Sequence, residues 1–368
     1  MEWQPQNEFP KEFHNIALSV YKDDPNWMPE QPEEIEYSFS LNNPYFKVCN
    51  AWLGVEAGQA RLCGFYNPKQ TIDDKKVAYF GYWETKDVLE PNKKLFKDFE
   101  SWSKNKGAEM IYGPINFTTF GANRIRLNHF EAGYFPGEPY NPPYYQKIIQ
   151  ELGYTLVKEY LSYTGNLDGV LENFRSKFIN PFEHAKELEL KLFQLTPEYW
   201  LENIPKLYEY CDIVFSNNFA YSGIAFETFK HYFGKSFANK FCPKTSVLAI
   251  DSEDKIAGFI ISYPDYSPIC RQEYKNFVPQ NQLEYKKHFP LLKNPMFISK
   301  SGGVHPKYRK AGLFSTINFA SAEWAKEDYK FMAGSTMRAD NPSKKIAAKI
   351  FTRPDDLIRQ YGLFIKKI

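Results

Sequence analysis

Two periods of hydrophobic spacing alternate along the chain and predict an α/β order that begins with antiparallel strands. Leu95, Phe99 and Trp102 share one helical face, and Gly107 follows as a C-terminal cap. The first half is predicted to contain, in order, a short helix (8–27), three strands (45–55, 59–66 and 77–84), a helix (95–106), a strand (109–115), a Gly/Asn/Pro-rich loop (116–143), a helix (144–152) and a strand (155–163).

The second half repeats this order, which predicts an internal duplication. Trp102, Lys104 and Met110 recur at the same relative positions as Trp324, Lys326 and Met332. The predicted elements are a polar connecting helix (168–188), a strand (190–195), helices around 198–216 and 224–239, a hairpin (247–250 and 256–263), a strand (297–304), a helix (311–327), a strand (330–336), a short helix (342–351) and a terminal strand (357–367). We therefore expect two α/β domains with mixed sheets, 1–167 and 189–368, joined by the connecting helix.

Charge and composition exclude several classes of protein. The 368 residues include 46 Lys and Arg against 44 Asp and Glu, and this balance predicts no nucleic-acid partner and no basic membrane patch. No apolar run is long enough to span a bilayer, and the first 13 residues do not resemble a secretory signal. The five cysteines and six histidines are scattered, so we expect reduced thiols, a cytoplasmic protein and no metal site. The oligomeric state is not predicted.

Aromatic residues make up an unusual 18% of the chain, and many of them gather in two loop regions, 134–145 and 263–289. We expect these loops to line an acceptor site for an apolar or flat substrate. The second region belongs to a long insertion, 266–295, between two predicted strands. An insertion of this kind is a lid or binding loop, a mobile surface excursion, or an element that packs between domains.

The segment 297–327 carries the candidate chemistry. A strand ends at Val304, His305-Pro306 stops it, and a helix opens after Arg309-Lys310. Backbone N–H groups at a helix N-terminus, next to two basic residues, favour an anion such as a pyrophosphate. Gly302-Gly303 are costly in a strand unless a bulge or a ligand's backbone needs the room. The alternative reading is a basic turn before an amphipathic helix.

In order and spacing, this segment resembles the GCN5-related N-acetyltransferase (GNAT) family. The family signature, V-x-P and then [QR]-x-x-G-x-[GA], is matched by Val304-x-Pro306 and Arg309-x-x-Gly312-x-Phe314. The resemblance implies acetyl-CoA or another acyl-CoA as co-substrate, with no metal. Its pantetheine would pair with the backbone near Gly302, Gly303 and Val304, and the Val304 amide would polarise the thioester carbonyl. The residues implied to hold its pyrophosphate are Arg309, Lys310, Ala311, Gly312, Leu313 and Phe314, and Asn341 matches an Asn frequent after the next strand.

Two positions depart from the family pattern. Phe314 replaces a small residue and would crowd one phosphate contact, and the Tyr that members often use as general acid falls at Ala348. No catalytic residue is therefore assigned. The best candidate for the base is a polar side chain or a water molecule on the strand around 299–301.

The first half resembles the same fold in a degenerate form. Before its helix stand three acidic residues, Glu84, Asp87 and Glu90, in place of an Arg-x-x-Gly loop, so we expect no CoA there. Three motifs, at 21–27, 113–116 and 140–145, resemble an uncharacterised bacterial group of tandem GNAT-like proteins.

The function that follows from the resemblance is an acyl-CoA-dependent N-acyltransferase, in which a small-molecule or peptide amine attacks the thioester in the second domain. One alternative is a non-catalytic CoA-binding or scaffold protein, which the residues at 314 and 348 favour. Another is an aminoacyl-tRNA-dependent peptidyltransferase. The net charge of +2 and only nine arginines argue against the basic groove that this activity would need.

Overall fold

The computed structural model describes residues 1–271 and 273–368, which form two units with separate cores. The first unit contains Met1–Glu159, Arg271–Phe277 and Gln360–Ile368, and the second contains Tyr160–Cys270 and Val278–Arg359. The predicted boundaries follow the order of the sequence. In the structure, by contrast, residues 360–368 belong to the first unit, and residues 160–167 belong to the second. Whether 1–167 and 189–368 fold as independent domains stays a prediction.

The first unit is a mixed sheet with a helix across one face. Its helices are α1 (Lys11–Val20), α2 (Pro32–Ser38), α3 (Glu90–Asn105) and α4 (Tyr145–Glu151), and its strands are β1 (Asn50–Glu56), β2 (Ala60–Ile72), β3 (Lys75–Thr85), β4 (Met110–Gly113), β5 (Ile125–Arg126) and the C-terminal strand, Leu357–Lys367. Strands β1, β2 and β3 pair antiparallel, β3 and β4 pair parallel, and the C-terminal strand lies antiparallel to β4. The predicted stripe of α3 (Leu95, Phe99, Trp102) is buried against this sheet.

The second unit repeats this plan. It takes residues 160–166 of β6 (Thr155–Asn166), and its other strands are β7 (Lys191–Gln194), β8 (Val247–Ile250), β9 (Ile256–Pro264), β10 (Met296–Val304) and β11 (Phe331–Arg338). Its helices are α5 (Leu167–Lys177), α6 (Pro181–Glu187), α7 (Pro197–Glu202), α8 (Ile204–Phe215), α9 (Phe226–Tyr232), α10 (Lys235–Ala238), α11 (Ser267–Cys270), α12 (Tyr285–His288), α13 (Leu313–Ala325) and α14 (Ser343–Ile350).

The strands of the second unit pair in the same directions as those of the first unit. Strands β7, β8, β9 and β10 pair antiparallel, β10 and β11 pair parallel, and β6 lies antiparallel to β11. The parallel pair is joined through α13, as β3 and β4 are joined through α3. The repeated order of strands and helices is what the internal duplication predicts.

Several predicted elements are shorter or divided in the structure. The predicted connecting helix 168–188 is two helices, because Asn180 accepts the N–H groups of Phe182 and Glu183 and Pro181 opens a new first turn. The predicted helix 224–239 is interrupted at Gly234, and the N-terminal helix covers only Lys11–Val20. Residues 45–47, predicted as the start of a strand, belong instead to a 3₁₀ helix, Pro44–Lys47, which Asn43 caps.

The aromatic loops have partners within their own units. Tyr134 stacks on Tyr140 with ring centroids 4.1 Å apart, and the Tyr140 hydroxyl donates to Oδ2 of Asp24 at 2.6 Å. In the insertion 266–295, Tyr285 stacks on Phe289 at 5.0 Å, and Gln272 lies outside the described residues. That these loops line an acceptor site stays a prediction. No helix in the described ranges has the length and apolar composition needed to cross a membrane.

Candidate functional site

Strands β10 and β11 separate halfway along their length. They pair in parallel from Met296 with Phe331 to Ser299 with Gly334. Beyond that point β11 continues along β6, where Met337 lies opposite Leu161. Residues 301–304 of β10 pair with β9 on one side and, among the described residues, with no strand on the other. The second half of β10 therefore has an open edge.

The backbone amide of Val304 points to this open edge. The next N–H, that of His305, donates to the carbonyl of Ala257 at the β9 side, at 2.9 Å. Successive N–H groups of a strand point to opposite edges, so the Val304 N–H faces away from β9. By the same alternation, the N–H of Gly302 faces the open edge and that of Gly303 faces β9.

The two glycines of β10 make room for the protein's own side chains. A Cβ atom on Gly303 would lie 2.6 Å from Cγ2 of Val214 in α8, and one on Gly302 would lie 2.7 Å from Cγ1 of Ile260. The bulge that the sequence suggested here lies instead between Ser299 and Ser301. Close packing therefore accounts for both glycines without a ligand.

The loop after β10 winds tightly into α13. Residues Pro306–Ala311 form a 3₁₀ helix, which His305 caps by accepting the N–H of Lys307 at Nδ1. Gly312 then has φ +77°, a left-handed conformation that glycine adopts without strain. Its carbonyl accepts the N–H groups of Ser315 and Thr316, so α13 begins at Leu313, two residues after the predicted start. The N–H groups of Leu313 and Phe314, which come before these two bonds, lie at the helix end and can face solvent or a ligand.

The loop carries three basic residues. The ammonium of Lys307 lies 4.9 Å from the centroid of the Tyr308 ring, and Arg309 and Lys310 differ in their surroundings. The guanidinium of Arg309 donates to the carbonyl of Val304 at 3.2 Å and to that of Val214 at 3.0 Å. It thereby ties the end of β10 to the last turn of α8. The ammonium of Lys310 is exposed and has no hydrogen-bond or ion-pair partner among the described residues. Lys310 is therefore the basic side chain of the loop that is available to an anion.

Phe314 packs against the strand. Its Cε2 atom lies 3.3 Å from the position of a Cβ on Gly302, and the half-buried ring joins a core that includes Val304, Leu313 and Ile317. The absence of a side chain at Gly302 makes this contact possible.

Near the start of α14, the side chain of Asn341 makes a hydrogen bond that supports the helix. Oδ1 of Asn341 accepts the N–H of Ser343 at 3.1 Å and so helps to begin the helix. Ala348, where the family's tyrosine would fall, is exposed on α14.

On the α8 side of β10, two hydroxyl groups lie at the region 299–301, where the sequence predicts a base. Ser301 and Gly303 are two residues apart and share this face, and the side chain of Ser301 hydrogen-bonds that of Tyr263. Burial raises the pKa of Tyr263 to about 12, so its phenol is neutral and keeps its proton at neutral pH. On the opposite face, Ser299 Oγ lies 3.0 Å from Oδ1 of Asn318. Within the predicted region 299–301, Ser301 thus pairs with a titratable group.

Two further residues, which the sequence analysis did not single out, contact the loop region. Tyr210 of α8 donates to the carbonyl of Ala257 at 2.9 Å and lies 3.4 Å from that of Gly303. His184 of α6 lies beside Gly312 and hydrogen-bonds Thr316. The helix start at Asn180-Pro181 was readable from the sequence, but its packing on α13 was not.

The corresponding edge in the first unit is filled by the chain itself. The N–H of Ile115 donates to the carbonyl of Phe80 at 2.7 Å, and Oδ1 of Asn116 accepts the N–H of Tyr82 at 2.8 Å. Gly81 contacts the same segment. The open edge of β10 thus has no counterpart on β3, where residues 115–116 occupy it.

Comparison by sequence gives one partial match to a curated protein. No protein-family model matches the chain. YghO of Escherichia coli K12 is 28% identical over 152 residues, which are 39% of this chain and 38% of YghO, so the chain matches well under half of that relative.

Two solved structures are similar over nearly the whole chain. A tandem GNAT protein from the clavulanic acid biosynthesis pathway, solved without acetyl-CoA, superposes with a TM-score of 0.51 at 10% identity over 100% of this chain and 97% of its own. A conserved protein from Enterococcus faecalis V583, described as "Probable N-Acyltransferase", gives 0.50 at 10% identity over 97% of this chain and 70% of its own. The chain therefore has the tandem GNAT fold, as its sequence motifs predicted.

Proposed function

We propose that the second unit binds acetyl-CoA or a longer acyl-CoA and transfers its acyl group to an amine. The observation that carries the proposal is the open edge of β10 at residues 301–304, which leads directly into the Gly312 turn and the start of α13. An extended amide-containing chain would add to this edge as a further strand does, through the outward N–H of Gly302 and Val304.

The pyrophosphate would lie at the start of α13, on the backbone N–H groups of the loop between Lys310 and Phe314. The helix end supplies partial positive charge, and Lys310 supplies a full one. Arg309 contributes through its backbone, because its guanidinium already binds two carbonyls. Gly312 contributes the turn that lets α13 begin at this point.

The reaction needs a hydrogen-bond donor to the thioester carbonyl and two proton transfers. The Val304 N–H would donate to the thioester oxygen, where negative charge develops as the amine attacks. The ammonium form of the acceptor must first lose a proton, and the departing thiolate must gain one. Neutral Tyr263, hydrogen-bonded to Ser301, would supply the proton for the thiolate, in place of the tyrosine that the chain lacks at position 348. A water molecule near Ser301 would accept the amine's proton.

Isothermal titration with acetyl-CoA tests the cofactor, with Gly312→Glu as the disrupting variant. A glutamate at 312 brings negative charge to the phosphate position and strains a left-handed residue. Gly58→Glu is the matched control, since Gly58 also has positive φ (+68°) and lies in open space in the first unit. Binding by the parent and by Gly58→Glu but not by Gly312→Glu supports the proposal. A parent protein that does not bind contradicts it.

The alternative is a protein that binds acyl-CoA without turnover. The exposed Ala348 favours it, because the residue in the family's general-acid position cannot donate a proton. Measuring CoA release with a panel of amines separates the two functions. Binding of acyl-CoA without release of CoA, whichever amine is present, would favour a protein that binds acyl-CoA without turnover.

A further inference from the structure

Different helices cover the two faces of β10 at its open edge. Phe314 of α13 lies against Gly302, and Val214 of α8 lies against Gly303. Successive residues of a strand point to opposite faces of the sheet, so α13 and α8 are on opposite sides of the edge. The proposed pyrophosphate site is at the start of α13. An acceptor amine that approaches the thioester from the other side therefore meets the C-terminal end of α8.

The last turn of α8 carries a carboxylate on the helix face that reaches β10. The Cζ atom of Phe215 lies 3.5 Å from the position of a Cβ on Gly303. Asp212 precedes Phe215 by three residues, and side chains at this spacing are neighbours on a helix, with Cβ atoms about 5–6 Å apart. The exposed carboxylate of Asp212 is therefore one helical turn from the ring that contacts the strand beside Val304.

The loop after α8 holds one oxygen of this carboxylate. The phenol of Tyr221 donates to Oδ1 of Asp212 at 2.8 Å. Burial and the hydrogen bond to Asp212 raise the pKa of Tyr221, so the phenol keeps its proton and remains a donor. The same Oδ1 atom lies 3.6 Å from the position of a Cβ on Gly223. Among the described residues, Oδ2 of Asp212 has no hydrogen-bond or ion-pair partner.

The charges at the end of α8 favour a cation beside Asp212. The helix has no basic residue in its last turn, and the C-terminal end of a helix carries partial negative charge. The guanidinium of Arg309 donates to the carbonyls of Val304 and Val214 and does not pair with Asp212. A carboxylate binds an ammonium group through charge-assisted hydrogen bonds. The second oxygen of Asp212 is thus available to a positively charged group of the acceptor.

We propose that Asp212 selects acceptors with two amino groups, binding one as an ammonium at Oδ2 while the other attacks the thioester at Val304. This inference rests on the proposed function and deepens it, because it names a class of acceptor, the diamines. It differs from the apolar or flat acceptor that the aromatic loops predict. An apolar acceptor would leave the carboxylate of Asp212 without a cation.

Isothermal titration with two amines that share one carbon chain tests the assignment. 1,4-Diaminobutane and butylamine differ by a single amino group, and each is titrated into the protein saturated with CoA. The parent is expected to bind the diamine about tenfold more tightly, the effect of one hydrogen bond between charged groups. Asp212→Asn keeps an acceptor for Tyr221 but removes the charge, so it should bind the two amines with equal affinity.

Glu209→Gln is the matched control, because it removes an exposed carboxylate from the same helix, one turn farther from Phe215. Its preference for the diamine should remain that of the parent. Release of CoA from acetyl-CoA gives a second readout. In Asp212→Asn, kcat/KM should fall about tenfold for 1,4-diaminobutane and stay unchanged for butylamine. Melting temperatures check that both variants are folded.

The outcomes separate this inference from the proposed function. If the parent binds acetyl-CoA but does not bind the diamine more tightly than butylamine, the assignment of Asp212 is wrong and the proposed function stands. An unchanged preference in Asp212→Asn, or an equal loss in Glu209→Gln, also overturns the assignment, because the preference then does not depend on this carboxylate. If the parent does not bind acetyl-CoA, both proposals fall.

Discussion

A Cβ atom on Gly303 would stand 2.6 Å from Cγ2 of Val214. This relationship fixes how closely α8 approaches the end of β10, next to the amide of Val304. Arg309 and Tyr210 add hydrogen bonds between the same two elements. The edge on which the proposed function depends is therefore shaped by packing from α8.

Gly303→Ala is expected to lower the free energy of unfolding by about 1–3 kcal/mol, as overpacking of a filled core does. Urea unfolding measures the change. Gly334→Ala is the control, because the atom nearest to its Cβ would be 3.6 Å away, at an ordinary contact distance. Combining Gly303→Ala with Val214→Ala should recover part of the loss, and strictly additive effects would show that the two residues do not meet.

Arg309→Met should loosen the last turn of α8, since two carbonyls lose their donor. The expected cost is about 1 kcal/mol, because the side chain is largely exposed. Hydrogen exchange of residues 204–215 should become faster, while Lys310→Met leaves it unchanged. Unchanged exchange in Arg309→Met would mean that the guanidinium does not hold α8 in solution.

The first unit should lose stability as pH rises through the titration of Glu84. Burial raises the pKa of Glu84 to about 7 against the attraction of Arg61, and Oε2 accepts the hydroxyls of Tyr21 and Tyr145 at 3.0 and 2.6 Å. Between an ordinary glutamate pKa, about 4.3, and pH 7, the folded state binds more protons than the unfolded state, so the free energy of unfolding falls as pH rises.

Glu84→Gln removes this titration and keeps an acceptor for the two hydroxyls. Its stability relative to the parent should therefore increase from pH 4.5 to pH 8, as measured by urea unfolding. Glu90→Gln, at an exposed carboxylate, is the control. A difference between Glu84→Gln and the parent that does not change with pH would contradict the assignment.

If the protein catalyses acyl transfer, Tyr263→Phe should lower kcat by about 10²-fold, the usual contribution of a general acid. The Kd for acetyl-CoA should not change, because the ring remains and only the hydroxyl is lost. Tyr285→Phe, whose ring stacks on Phe289, is the control for removing a phenol elsewhere in the unit. An unaltered kcat in Tyr263→Phe would exclude it as the proton donor.

Local patterns sufficed to predict several strands of the scaffold. The predicted hairpin, the strand ending at Val304 and the terminal strand agree with the structure to within a residue, because apolar periodicity and turn residues encode them locally. The break at Asn180-Pro181 was also encoded locally, by a cap and a proline, but the polar spacing that continues across it favoured a single helix.

Long-range packing determines the features that could not be predicted from the sequence. The roles of Gly302 and Gly303 depend on Ile260 and Val214, which are distant in the chain. Arg309 matches the signature, yet its side chain binds carbonyls that no local pattern places beside it. His184 reaches Gly312 only because α6 packs on α13. Pairing of the C-terminal strand with β4 likewise joins residues from opposite ends of the chain.

A crystal structure of the protein with acetyl-CoA tests the central claim most directly. The account predicts pantetheine density along the open edge of β10, within hydrogen-bond distance of the Val304 N–H, and phosphate density at the start of α13 between Lys310 and Phe314. Acetyl-CoA bound at another place, or no bound acetyl-CoA at concentrations that saturate acyltransferases of this fold, would contradict it.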